Sequence, residues 1–351
     1  MLLEETLKKI RPLDRSIEAE IQRRLDSLTK PRGSLGRLEE LARRVALIQH
    51  KTPPSLGRKL LFVFAADHGI SEEGVSAYPK AVTAQMTTNF LQGGAAINVL
   101  ARHYGVDLEV VDMGVDFEFS SLNGPRSYKA KRGTNNFASG PAMTREEALH
   151  SVETGIGLAQ EAASWKLFLL GAGEMGIGNT SSATAVFCAL TGLSVREMTG
   201  RGTGIDAPTW TRKVSVIEKG LELNQPDPKD PLDVLSKVGG LEIGATVGLI
   251  LGAAACRIPM ILDGYICSSA ALLAYRLNPD IKDVLFASHL SAEVGHHSVL
   301  NELQLTPLLD LQMRLGEGTG ACIAMGLVEA GVKIMREMAT FESAGVGEKI
   351  L

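Results

Sequence analysis

Five short apolar runs, each closing on small or polar residues, constrain the fold of this chain more than any other feature. Run 60–66 ends at Asp67, His68 and Gly69, and run 108–111 ends at Asp112, Met113 and Gly114. Run 166–170 leads into Gly171, Ala172, Gly173 and Glu174, run 259–262 into Asp263 and Gly264, and run 284–287 into Ser288 and His289. Continuous apolar strands with helical patterns between them belong to a mostly parallel sheet covered on both faces. The expected fold is therefore α/β, with a Rossmann-like sheet, helices on both faces, and a small helical domain built from the two chain ends. We place that small domain at 1–55 and 303–351, and the large α/β domain at 56–302. Ligands of such sheets bind beyond the C-terminal strand ends. Asp67, Asp112, Glu174, Asp263 and His289 should gather at that edge.

The first 50 residues read as helices broken at 29–36, where Pro31, Gly33 and Gly36 force a turn and Ser34 can cap the next helix. Segment 241–262 is apolar, but Glu242 and Arg257 leave too short an uncharged run to span a bilayer. Its Gly and Ala content suits a helix packed hard against a sheet. The N-terminus lacks the apolar core of a signal peptide, so the expected location is cytoplasmic. A net charge of −4 with only 5% aromatic residues argues against a nucleic-acid surface. Cys188, Cys256, Cys267 and Cys322 stand singly in apolar or small-residue segments, as reduced core thiols do.

Near the C-terminal end, Gly316, Gly318 and Gly320 flank Glu317 ahead of an apolar helical pattern. Glycines let the backbone bend sharply and let a ligand approach. The carboxylate is then presented at a helix mouth, where the dipole and free N–H groups favour its ionised form. Such a group can accept a proton from a neutral ligand; an incidental acidic residue in a Gly-rich turn is the plainer alternative.

Gly171-Ala172-Gly173-Glu174-Met175-Gly176 matches a dinucleotide fingerprint, but a carboxylate inside the loop would repel a pyrophosphate. The following Ile177, Gly178, Asn179 and Thr180 supply small donors for a helix N-terminus. A second loop, 199–206, combines glycines with Thr199 and Thr203, and Lys213 follows within one or two turns. This resembles an anion nest for a single phosphate, though not a Walker loop. No strand ends in paired acids followed by a Thr-Gly loop, so a magnesium-held pyrophosphate donor is not indicated. Tyr78 and Pro79, with Gln85 close by, offer a flat surface and an amide for a heterocycle, or ordinary packing. The seven histidines show no metal-ligand spacing, and no nucleophile elbow is present.

Together these segments resemble the nicotinate-nucleotide–dimethylbenzimidazole phosphoribosyltransferase family over residues 20–345. The matching stretches are 25–39, 66–69, 76–79, 82–86, 173–180 and 316–320; Tyr78 stands where the family often has Phe. The resemblance implies transfer of the 5-phosphoribosyl group of nicotinate mononucleotide to 5,6-dimethylbenzimidazole, with inversion at C1′, giving α-ribazole 5′-phosphate and nicotinate during cobalamin assembly. It implies Glu317 as the base and Glu174 as its assistant. The heterocycle would lie near Tyr78, Pro79, Gln85, Met175 and Leu315. The ribose phosphate would lie near Gly176, Gly178, Gly202, Thr203, Gly204 and Lys213, with Ser291 as a further candidate. The implied protein needs no metal or organic cofactor and is a homodimer acting on small molecules, with no nucleic-acid or membrane partner. Two alternatives stay open on the residues alone: a non-catalytic nucleotide sensor on the same sheet, and a dinucleotide-dependent oxidoreductase.

Overall fold

The computed structural model describes residues 1–120 and 124–347. All five expected strands form, and a two-residue strand that the apolar pattern did not announce is added at one edge. In chain order they are β1 (Arg58–Ala66), β2 (Asp107–Gly114), β3 (Arg126–Ser127), β4 (Leu167–Met175), β5 (Met260–Leu262) and β6 (Leu285–Ala287). They make one six-stranded sheet in the order β3-β2-β1-β4-β5-β6, parallel at every pairing. The strand order reverses between β1 and β4, which in doubly wound sheets opens a crevice at the C-terminal edge. β1 explains why its run is uniformly apolar: every residue after Arg58 is buried.

The helix Leu241–Ala255 packs against β1, β2 and β4 and most extensively against the helix Arg145–Ala163. Its glycines serve this helix–helix contact more than the sheet. A Cβ on Gly248 would lie 1.8 Å from the Val152 carbonyl oxygen, and one on Gly155 would lie 2.0 Å from that of Ala245. Only bare backbone allows axes this close.

Helices Glu18–Asp26 and Arg37–Gln49 follow one another around the expected break. Ser34 does not cap the second: its N-cap is Gly36, at φ 54°, with no side-chain bond. Glu39 instead reaches back to the Leu35 N–H at 3.0 Å and pairs with buried Lys30 at 2.8 Å. A separate apolar cluster of Ile21, Leu25, Leu28, Ala42, Ala46, Leu47 and Met335 joins the two chain ends. The helix Thr319–Glu337 contributes Met335 to that cluster, while also packing on β4 and β5. It therefore ties the terminal helices to the sheet at β4 and β5. Among the described residues no helix is long and apolar enough to cross a membrane.

Candidate active site

A cavity of about 510 Å³ opens at the C-terminal ends of β4, β5 and β6. Its floor is β4, which carries Glu174 and Met175 to the lip. Gly171 and Gly173 lie within this strand and not in a loop, which removes the dinucleotide fingerprint. Their role is close approach. A Cβ on Gly173 would stand 2.3 Å from the Gly318 nitrogen and 2.4 Å from the Glu317 carbonyl carbon. The Gly316–Gly318 turn thus rests directly on β4.

That turn is left-handed at three consecutive residues, with φ of 84° at Gly316, 62° at Glu317 and 86° at Gly318. The flanking residues are glycine because others adopt this region at a cost; Glu317 bears that strain itself, as functional residues often do. The turn is held from below by Asp263, at the end of β5. Its carboxylate accepts from the N–H groups of Gly318 at 3.1 Å and Ala321 at 3.0 Å. From the side, chain 308–313 runs along the continuation of β6, with Leu290 N–H bonded to Leu309 and Ala292 N–H to Met313.

The expectation that the helix after Glu317 favours its ionised form is corrected by these bonds. The free N–H groups of that helix go to Asp263. Glu317 is 5% exposed, and burial pushes its carboxyl above the usual glutamate range, with the Asp263 charge adding to the rise. The opposing pull comes from the backbone of Ile97, the second residue of the helix Ala96–Tyr104. Glu317 Oε2 has no hydrogen-bond partner among the described residues.

Glu174 is held well above its ordinary range, by burial first, then by the neighbouring Asp263 and Glu242. Asn179 Nδ2 donates a short bond to Glu174 Oε2, which favours the ionised form without winning. Glu242 is fully buried against His68, Oε1 to Nε2 at 2.7 Å, and His68 Nδ1 meets Ser182 Oγ at 3.0 Å. This pair supports the β4 turn from behind.

Of the residues expected to hold a heterocycle, Tyr78, Met175 and Leu315 line the cavity, joined by Val82 and Met86. Pro79 and Gln85 are exposed and off its wall. Val82 and Met86 are one turn apart on the helix Val82–Gln92, so their shared face looks inward while Gln85 projects from another. Of the expected phosphate group, Gly176, Gly202, Thr203 and Ser291 line the cavity. Gly178 is buried as the N-cap of the helix Asn179–Thr191, and Gly204 is exposed.

Lys213 lies under the 199–206 loop, 1% exposed. Its Nζ donates to Thr180 Oγ1 at 2.8 Å, and burial pushes its ammonium down to about 8, with Glu293 pulling the other way. Thr203 Oγ1 accepts the Ala77 N–H at 3.0 Å, and Arg314 Nη1 donates to the Gly202 carbonyl at 2.9 Å. The 199–206 loop is thereby clamped to both the Tyr78 segment and the Glu317 segment.

Residue reasoning passed over Tyr265, Glu293 and Arg314 as site residues, and named His289 at the strand edge and Thr180 among the small donors without giving either a role; all five line the cavity. Thr180 had a signal, as a small donor after the glycine run, and Arg314 adjoins the glycine turn; Glu293 had none. Asp67 and Asp112 reach the same sheet edge but hold loops: Asp67 accepts the Asp116 N–H, and Asp112 accepts those of Gly114 and Val115.

A doubly wound sheet whose C-terminal edge opens one cavity lined by two buried carboxyls, Glu174 and Glu317, and by the glycine-threonine loop at Gly202 and Thr203 is the architecture of an α/β enzyme. A family model described as phosphoribosyltransferase matches residues 10–346. The nicotinate-nucleotide–dimethylbenzimidazole phosphoribosyltransferase of Geotalea uraniireducens is 56% identical over 347 residues, covering 99% of each chain. The protein of the same name from Chlorobaculum tepidum is 51% identical over 346 residues, covering 99% of this chain and 98% of its own. The crystal structure of the Thermus thermophilus enzyme superposes with a TM-score of 0.90 at 44% identity, covering 96% of this chain and 100% of that one. The chain belongs to the nicotinate-nucleotide–dimethylbenzimidazole phosphoribosyltransferase family.

Proposed function

We propose that this protein transfers the 5-phosphoribosyl group of nicotinate mononucleotide to 5,6-dimethylbenzimidazole, releasing nicotinate and α-ribazole 5′-phosphate for cobalamin assembly. The observation that carries the mechanism is Glu317: buried, unpaired at Oε2 and on the cavity wall. The leaving group is a pyridinium, so breaking its C1′–N bond returns an electron pair to a cationic ring and needs no acid. Catalysis therefore reduces to alignment plus removal of one proton.

The benzimidazole lies against Tyr78, Met86, Met175 and Leu315. Its unprotonated nitrogen attacks C1′ on the face opposite the departing ring, which inverts the anomeric centre. As that bond forms the heterocycle becomes cationic, and its N–H proton passes to Glu317. A carboxylate whose pKa is raised by burial is the stronger base in its ionised form. Burial and its acidic neighbours hold the Glu174 carboxyl well above the usual glutamate range. The cationic donor entering the cavity favours its ionised form, which then stabilises positive charge spreading over the ribose. The phosphate lies at Gly176, Gly202 and Thr203, with Lys213 beneath supplying charge.

The protein acts in the cytoplasm as a homodimer. Four unpaired cysteines, three of them buried, suit a reducing compartment. Tyr78 and Leu315 line the cavity yet remain 55% and 58% exposed, an open apolar flank that a partner subunit would cover. Incubation with nicotinate mononucleotide and dimethylbenzimidazole tests the reaction: α-ribazole 5′-phosphate is expected. No product, or the β anomer alone, would overturn the proposal.

A further inference from the structure

One cavity carboxyl has no part in the chemistry above. Glu293 is 8% exposed, lines the cavity and has no partner for Oε2 among the described residues. It does not serve as a cap of the following helix His296–Glu302. There the His296 N–H goes to the Glu293 carbonyl, and the Glu293 N–H goes to Ser291 Oγ at 3.3 Å. The 199–204 loop closes over this carboxyl so tightly that a Cβ on Gly200 would come within 1.7 Å of Oε2. Lys213, whose ammonium Glu293 acts on through its charge, is already bonded to Thr180.

An ionised carboxylate only accepts hydrogen bonds, and a buried acceptor left unmatched is costly. A ligand that belongs here must bring donors. If the donor is a phosphoribosyl pyridinium, as the proposed reaction requires, its phosphate and its carboxylate are acceptors and its ring nitrogen carries no hydrogen. The ribose hydroxyls are its only donors. Lys213 approaches the loop at Gly202, two residues beyond the Gly200 contact of Glu293. The anionic and hydroxyl ends of one sugar can thus be read by opposite charges along a single loop.

We infer that Glu293 accepts the ribose hydroxyls of the phosphoribosyl donor and makes the enzyme selective for ribose over deoxyribose. The inference rests on the proposed reaction but can be read apart from it. The experiment compares nicotinate mononucleotide with its 2′-deoxy and 3′-deoxy analogues, in wild type and in Glu293→Gln, by calorimetric binding and by kcat/KM. Wild type should prefer the ribose donor over at least one analogue by about 10- to 100-fold. In Glu293→Gln that preference should shrink to within about threefold, through loss on the ribose donor and not gain on the analogue. Glu293→Asp, which keeps the charge but withdraws it, should fall between the two and serves if the amide variant does not fold. Equal wild-type affinity for all three donors, or an unchanged preference in both variants, would overturn the assignment. Binding preference without turnover would support Glu293 while striking at the reaction itself.

Discussion

The Asp263 carboxylate accepts a hydrogen bond from the backbone N–H of Gly318 at 3.1 Å. This joins the end of a central strand to the residue following the proposed base. The second oxygen of Asp263 takes the Ala321 N–H, so one buried side chain satisfies the helix terminus and sets the position of Glu317. Asp263→Ala strips two buried amides of their acceptor, which costs about 1–3 kcal/mol for each group left unmatched. We expect a lower melting temperature and a fall in kcat larger than any change in KM. Full activity in a destabilised variant would show that the turn holds its shape without Asp263.

Glu317→Gln keeps the size of the side chain and removes the base. Loss of a positioned general base costs about 10²- to 10⁴-fold in rate, and steady-state kinetics should show that loss in kcat with the melting temperature near wild type. Glu174→Gln should be milder, since burial and acidic neighbours already disfavour the charged form of Glu174 that the substitution removes. Equal losses in the two variants would contradict the division of roles.

Gly173→Ala should act at a distance of one contact. The added methyl has no room against Gly318 and Glu317, so the glycine turn must lift. Overpacking of this kind costs about 1–3 kcal/mol. Activity should fall well beyond what the stability loss explains, and a structure of the variant should show Glu317 displaced.

The pH profile of kcat/KM should be bell-shaped. Glu317 must be ionised to act, and burial raises its pKa, so activity is lost as pH falls through a value above the usual glutamate range. Lys213 must be charged to hold phosphate, and burial lowers it to about 8. Activity is therefore present below that value and lost as pH rises through it. A bound phosphate favours the ammonium, so the alkaline limb of kcat should lie at higher pH than that of kcat/KM. A profile flat through the alkaline range would exclude a role for the Lys213 charge.

The open apolar flank at Tyr78 and Leu315 should be closed in solution. Sedimentation is expected to give twice the 37.4 kDa chain mass. Leu311→Asp, at an exposed apolar position outside the cavity, should weaken association while leaving the monomer folded. A monomer in wild type at micromolar concentration would refute the dimer.

How far the sequence could be read followed from the range of each interaction. A strand buried on both faces must be apolar throughout, so the long strands announced themselves and their ends marked the ligand edge. The glycines around Glu317 were legible because a left-handed turn admits few other residues. Gly171 and Gly173 misled, since a glycine needed for a loop and one needed for close packing look alike in one dimension. Ser34 misled for a similar reason: a capping residue type is necessary for a side-chain cap but does not supply the geometry.

Local chemistry, then, was determined by the order of residues alone: which segments are strands, where they stop, and which acid sits in a strained turn. Partners were decided only by folding. Asp263, and not Glu317, takes the helix amides because β5 delivers it there from more than fifty residues away in sequence. The raised Glu317 and Glu174 carboxyls and the lowered Lys213 ammonium arise from burial beside groups remote in the chain. Desolvation and charge act through space, and the distances that set them exist only once the sheet, the loops and the terminal helices have closed around one cavity.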